Sequence, residues 1–267
     1  DDLQLDRAFS FGNFLTNNKR FADAAEQFEQ CLQLQEDAVI RVCLGVAKEK
    51  QDLLEEAVAQ FRKALELDPD FAEAHRNLGV TYSRLNRQQR ALEHLQQAVQ
   101  VQPDYFRAYH DLGLLLNGLD RSEAAVRHLE EALRIQPDQP IVHADLAKVL
   151  HVLGRFQESV EHNKQALRLD SSNLQVMNNL AWQLATCAQD EVRNGAQAVK
   201  LAEYVANRTQ FRKVDVLDTL AAAKAEVGDF PAAVRWQQQA IEILPPEQRA
   251  DAQQRLDLYE QKMPYRE

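Results

Sequence analysis

The sequence predicts an all-α solenoid of seven helix-turn-helix units closed by a C-terminal helix. Three observations predict it. Pro69, Pro103 and Pro137 stand 34 residues apart, and Gly45, Gly79 and Gly113 keep the same spacing. A fixed period of that length marks one structural unit copied along the chain. Inside each period apolar residues recur at i, i+3, i+4 and i+7, the stripe of an amphipathic helix.

The first unit starts near Leu5 and carries Phe11-Gly12, Leu15, Ala24, Phe28 and Cys31. The second starts near Ala38, with Leu44-Gly45, Ala57, Phe61, Ala64 and Pro69 in matching slots. The third, from about Ala72, has Leu78-Gly79, Tyr82, Ala91, Leu95, Ala98 and Pro103. The fourth, from Phe106, has Leu112-Gly113, Leu116, Ala125, Leu129, Ala132 and Pro137. Alanine replaces glycine in the next two, which start near Pro140 (Leu146-Ala147, Leu150, Ala166) and Leu174 (Leu180-Ala181, Leu184). The seventh starts near Val214 with Leu220-Ala221, Ala233, Ala240 and Pro245.

Small residues such as Gly79, Ala91 and Ala98 let helices approach closely. Pro103 ends the second helix, because its ring removes a donor and clashes with the preceding turn. One hairpin cannot bury its apolar face alone, so stacked neighbours share a core. After Pro245-Pro246, a helix over about 247–263 places Ala252, Leu256, Tyr259 and Met263 on one stripe and is expected to cap the last unit.

The L-G-x2-Y core, the A-x3-F step and the terminal proline resemble the tetratricopeptide (TPR) pattern. That resemblance covers residues 1–267 as a single domain and implies a right-handed superhelical solenoid that holds a peptide or partner protein in a concave groove. The ending from NNLAWQLAT to LYEQKMPYRE looks like the C-terminal end of large bacterial TPR proteins. With Asp1 in place of methionine and no upstream cap, the chain is expected to be the tail module of a longer protein.

Composition narrows the function classes. Eight glycines argue against a sheet-rich fold with many tight turns. A formal net charge of −10 argues against a nucleic-acid partner, because phosphate contacts need dense Lys and Arg. Cys31, Cys43 and Cys187 form no disulfide framework and no metal-binding pair; Cys31 fills a small-residue packing slot. No apolar run reaches the ~18 residues of a membrane span, and no signal peptide is visible, which leaves cytoplasm and periplasm both open. No cofactor and no metal is expected.

No catalytic signature stands out, and a non-enzymatic role is expected. Gly113 and Gly118 have P-loop spacing, but Leu119-Asp120 follow where Lys and Ser/Thr are required. His94, His128 and His162 are each 34 apart. Equivalent positions of stacked hairpins lie roughly 10 Å from each other, too far to share one ion at ~2 Å bond lengths. They are expected to be structural histidines flanking the core.

The residue before each Leu-Gly or Leu-Ala pair includes Asn77, Asp111, Asp145 and Asn179. The resemblance puts these on the groove, where an amide or carboxylate hydrogen-bonds a peptide backbone without demanding its sequence. The series is similar to the asparagine ladder of O-linked N-acetylglucosamine transferases, although Asp111 and Asp145 lack its donor. An ordinary repeat-consensus role stays open for all four. Other expected groove residues are Arg76, Val80, Arg84, Arg107, His110, Leu114, Lys148, His151, Asn178 and Trp182. Trp182 is either a binding anchor, since aromatics dominate hot spots, or packing between repeats. A terminal-carboxylate clamp is not expected, because Phe9, Asn13, Cys43, Glu73 and Asn77 fill its slots without cations.

The sixth unit is lengthened by Cys187–Gly195, read as a binding loop or as padding, with Phe211 beside it. Three functions fit: a protein–protein interaction module; a structural spacer or oligomerisation arm; or the substrate-recruiting tail of an enzyme, such as a glycosyltransferase, whose catalytic domain lies elsewhere. Oligomeric state is not legible.

Overall fold

The computed structural model describes residues 2–267, with side chains from Leu3 onward; Asp1 lies outside the described residues. The described residues are helical, and the chain divides into two compact units, Asp1–Pro137 and Asp138–Glu267.

The first unit holds four hairpins: α1 (Asp2–Asn17) with α2 (Phe21–Leu34), α3 (Ala38–Lys50) with α4 (Leu54–Leu67), α5 (Ala72–Arg84) with α6 (Gln88–Val101), and α7 (Phe106–Gly118) with α8 (Ser122–Ile135). Each helix packs on the next, and first helices of adjoining hairpins also touch. Pro69, Pro103 and Pro137 each lie two residues beyond a second helix, as expected of residues that cannot continue one.

The packing inside a hairpin is set by one repeated pair. A Cβ on Gly45 would collide with the ring of Phe61, and a Cβ on Gly79 would stand 2.6 Å from Cγ of Leu95. A bare Cα on the first helix therefore receives a large apolar side chain from the second. Phe28, Phe61, Leu95 and Leu129 are buried in this way. The turn between the two helices is also periodic. Asp52, Asn86, Asp120 and Gly154 all take positive φ, from 56° to 72°, a conformation Asn, Asp and Gly tolerate best. On α1, Leu3, Phe11 and Phe14 remain exposed.

The second unit holds α9 (Pro140–Val152) with α10 (Phe156–Leu169), α11 (Leu174–Thr186) with α12 (Gly195–Arg208), and α13 (Val214–Glu226) with α14 (Phe230–Ile243). A short 3₁₀ turn, Pro246–Gln248, leads into α15 (Ala250–Glu260). The slots that hold Ala91 and Leu95 in the third hairpin hold Ser159 and Asn163 in the fifth, both buried. Gln237 takes the equivalent slot in the last hairpin and is fully buried.

The insertion between α11 and α12 is ordered by its own chemistry. Arg193 donates to the carbonyls of Cys187 and Ala188, at 2.7 and 3.2 Å, and pairs with Asp190. Val192 is buried, and Asn194 caps α12 by accepting from the amide of Gln197. Phe211 stacks on Trp236 with centroids 5.0 Å apart, so it is packing rather than a free anchor.

Ala252, Leu256 and Tyr259 of α15 are buried against the last hairpin. Met263, expected on the same stripe, is exposed. The helix stops at Glu260 and Lys262 takes a φ of 58°, which takes the chain out of the helical register. The segment beyond it returns to α11.

Candidate functional site

In the first unit, Arg76 gathers two of the expected groove residues. Its Nε donates to Oδ2 of Asp111 at 2.5 Å, and its Nη1 donates to Oδ1 of Asn77 at 3.3 Å. Burial pushes the Asp111 carboxyl above its ordinary range, against the opposing pull of Arg76. The Nδ2 of Asn77 is buried without a partner. Arg84 is held by Glu49 at 2.8 Å and Asp52 at 2.7 Å. Arg107 is exposed, its guanidinium 5.6 Å from the centre of the Phe106 ring, and His110 is half-buried. Val80, Arg84, Asp111 and Leu114 line a cavity of about 270 Å³.

The second unit concentrates more of them. Lys148, His151, Asn178, Asn179 and Trp182 line one cavity of about 410 Å³, together with Asn163, Gln183, Asp215, Asp218, Thr219 and Glu267. Asp145 is not on that wall; it accepts from Nζ of Lys148 at 2.9 Å. Asn179 accepts from Nε2 of Gln175 at 3.0 Å. Each of the four ladder positions thus already has one acceptor oxygen engaged by its own chain.

Behind the cavity runs a buried polar network. Asn163 Nδ2 donates to Oε1 of Gln183 at 3.0 Å, and Gln183 Nε2 donates to Oγ of Ser159 at 2.7 Å. Ser159 in turn donates to the carbonyl of Ala147 at 2.6 Å. The same Gln183 amide lies 3.2 Å from Nδ1 of His151. Since Gln183 donates there, the His151 proton sits on Nε2, which faces the carboxylate of Glu267 at 3.4 Å. Two acceptors are left over: Oδ1 of Asn163 and Oδ1 of Asn178 are buried without hydrogen-bond partners.

The far wall is charged and aromatic. Asp218 accepts from Arg255 Nε and Gln237 Nε2, each at 2.8 Å. That pairing holds the Arg255 guanidinium 5.7 Å from the Trp182 ring centre and 5.6 Å from that of Tyr265. Tyr265 packs on Trp182 with centroids 5.9 Å apart. Trp182 Nε1 donates to Oε2 of Glu267 at 2.8 Å. Its surroundings are therefore filled by Tyr265 and Glu267 of the same chain. Hydrogen bonding from His151 and then Trp182 holds the Glu267 carboxyl below its usual range, despite its partial burial.

Sequence reasoning missed Glu267, Thr186, Gln183, Asn163 and Ser159. The last two were detectable, since each puts a polar side chain where four preceding hairpins put an apolar one. Glu267 carried no comparable signal. The histidine spacing hid another feature. His94 lies with Nδ1 3.0 Å from Nδ1 of His75, and His162 lies 2.9 Å from His143 in the same way, while His128 packs beside Tyr109. Each pair shares a proton across two helices of one hairpin. Among the described residues, no group of three or more metal-ligating side chains converges.

Family models for the TPR or tetratricopeptide repeat match residues 50–86, 72–105 and 110–173. These residues are tetratricopeptide repeats. Repeats of this family are in general protein-interaction modules rather than catalysts. Among solved structures, one from a functional characterisation of Pseudomonas aeruginosa pilF is similar over 95% of this chain and 97% of that one, with 17% identity and a TM-score of 0.63. YrrB, described as a TPR protein with an unusual peptide-binding site, is similar over 76% of this chain and 98% of its own, at 20% identity and a TM-score of 0.63. TTC0263, a thermophilic TPR protein of Thermus thermophilus, matches 67% of this chain and 98% of its own, at 22% identity and a TM-score of 0.58. These likenesses show the fold. No curated protein matches the sequence. No helix among the described residues is long and apolar enough to cross a membrane.

Proposed function

We propose that this protein is an interaction module that docks a peptide segment of a partner protein in the cavity of its second unit. The observation that carries the reading is the wall itself: Lys148, Asn178, Asn179 and Trp182 converge on one space of about 410 Å³. Asn163 and Asn178, on that same wall, each keep a buried acceptor unpaired. A buried unpaired acceptor is costly, and a peptide N–H reaching this wall offsets that cost. Trp182 supplies the aromatic surface typical of a binding hot spot. The peptide-binding description of YrrB lends the reading support by analogy of fold.

Panning a displayed peptide library on the full chain tests it. Enriched peptides should lose about tenfold to a hundredfold in affinity on Trp182→Ala, the loss of a hot-spot residue, and less on Lys148→Ala. Peptides that bind both variants as tightly as the parent, with helicity unchanged, would remove the cavity from the interface.

A further inference from the structure

Residues beyond α15 make contacts that a capping helix does not need. The backbone N–H of Glu267 donates to the carbonyl of Thr186 at 2.9 Å, in the manner of an added extended strand of ligand. Its carboxylate accepts from Trp182 Nε1 at 2.8 Å, faces His151 Nε2 at 3.4 Å and lies 3.4 Å from Thr186 Oγ1. Arg266 donates to the carbonyl of Ala185 at 3.3 Å and pairs with Glu226 at 2.6 Å. Tyr265 lies against Trp182 and Arg255. Three consecutive residues thus use one backbone hydrogen bond, one aromatic contact, one cation and one carboxylate, all directed at the C-terminal turn of α11 and its neighbours.

These are the components by which a helical groove grips an extended peptide, and they meet the edge of the proposed docking cavity, of which Glu267 forms a wall. The side chains that receive these residues are themselves held by hydrogen bonds and ion pairs. Gln183 fixes the His151 tautomer, and the Asp218 pair fixes Arg255. Glu226 bridges Arg266 to Arg193, so the inserted loop after α11 supports the same contact.

We propose that Tyr265-Arg266-Glu267 is a built-in ligand, occupying part of the groove until a partner peptide of the same chemistry displaces it: an aromatic residue, a basic residue and a carboxylate in extended succession. This deepens the docking reading and rests on it. A tethered segment competes at roughly millimolar effective concentration, so the closed form lowers the apparent affinity for any free peptide in proportion to its population.

The test uses the full chain and a labelled heptapeptide with the sequence of Gln261–Glu267, followed by fluorescence anisotropy. A variant with Tyr265→Ala, Arg266→Ala and Glu267→Ala should bind the heptapeptide at least about tenfold more tightly than the parent, whose own copy competes. Adding Trp182→Ala and His151→Ala to that variant should abolish binding. No binding by the triple variant, equal binding by variant and parent, or binding that survives loss of Trp182 and His151 would each overturn the proposal. If the triple variant loses helicity, Glu267→Lys alone serves, with tighter heptapeptide binding expected and unchanged binding overturning it. Library peptides that depend on Trp182 while the heptapeptide fails to bind would keep the docking function and remove the built-in ligand. The reverse pattern would keep the tail contact and remove the docking function.

Discussion

The two units answer the same packing question differently. Sixteen residues after the small residue of the first helix, the first unit places Phe28, Phe61, Leu95 and Leu129, each buried against a glycine. The second unit places Asn163 after Ala147 and Gln237 after Ala221, equally buried. In the first unit the slot is closed by hydrophobic area alone. In the second it is closed by hydrogen bonds that lead outward, from Asn163 to Gln183 and from Gln237 to Asp218. Both acceptors stand on the wall of the second unit's cavity. A repeat that gives up apolar packing in its core gains a rigid polar backing for whatever meets its surface, and the same unit holds the chain's own tail.

The comparison breaks most visibly at Phe61. Phe61→Ala removes a fully buried ring that fills the space above Gly45 and should cost about 3–5 kcal/mol. Urea unfolding followed by far-UV circular dichroism measures it. A cost below about 1 kcal/mol would mean that the glycine–aromatic pair does not hold the first unit together.

A smaller effect is expected from writing the first unit's rule into the second. Asn163→Leu strips Gln183 Oε1 of its donor and sets a branched side chain against the Cβ of Ala147, costing about 1–3 kcal/mol. Ala147→Gly alone should cost about 0.5–1 kcal/mol as a helix-interior glycine. Combined, the two recreate the pairing of Gly79 with Leu95, so the double variant should be more stable than the sum of the singles by about 0.5–3 kcal/mol. Additive costs would show that the two positions do not form one packing unit.

Much of this was legible in the sequence, because periodicity reports packing. Proline placement, the small residue before each apolar partner and the hairpin count follow from positions that every unit must solve alike. The αL turn residues Asp52, Asn86, Asp120 and Gly154 obey the same period and are readable for the same reason. The wall of the proposed docking cavity was partly legible, since Lys148, Asn178, Asn179 and Trp182 sit at first-helix positions. The tail was not. Glu267 meets Trp182 across 85 residues of chain, and no repeat constrains where a segment beyond the last helix will lie. The histidine pairs lie between these cases. His75 and His94 are 19 apart, as are His143 and His162, but only the antiparallel hairpin brings those positions together.

Those pairs are where the two units agree, and they sharpen the comparison through pH. Burial, aided by the neighbouring His75, lowers His94 from its ordinary 6.5 to about 4, and burial beside His143 lowers His162 as well. A base with a lowered folded-state pKa binds protons more readily in the unfolded chain, so acid favours unfolding. Its stabilising contribution is fully present above pH 6.5 and falls as pH drops towards about 4, where the folded His94 also takes up a proton. The melting temperature should therefore decline across that window in the parent. His94→Leu with His162→Leu should flatten the decline, leaving the loss from His128, which burial also lowers, and from carboxylates such as Glu267, whose lowered pKa acts in the same direction at lower pH. If parent and double variant decline equally between pH 6.5 and 5, the paired imidazoles are not what couples this fold to protons, and the one device both units share is packing alone.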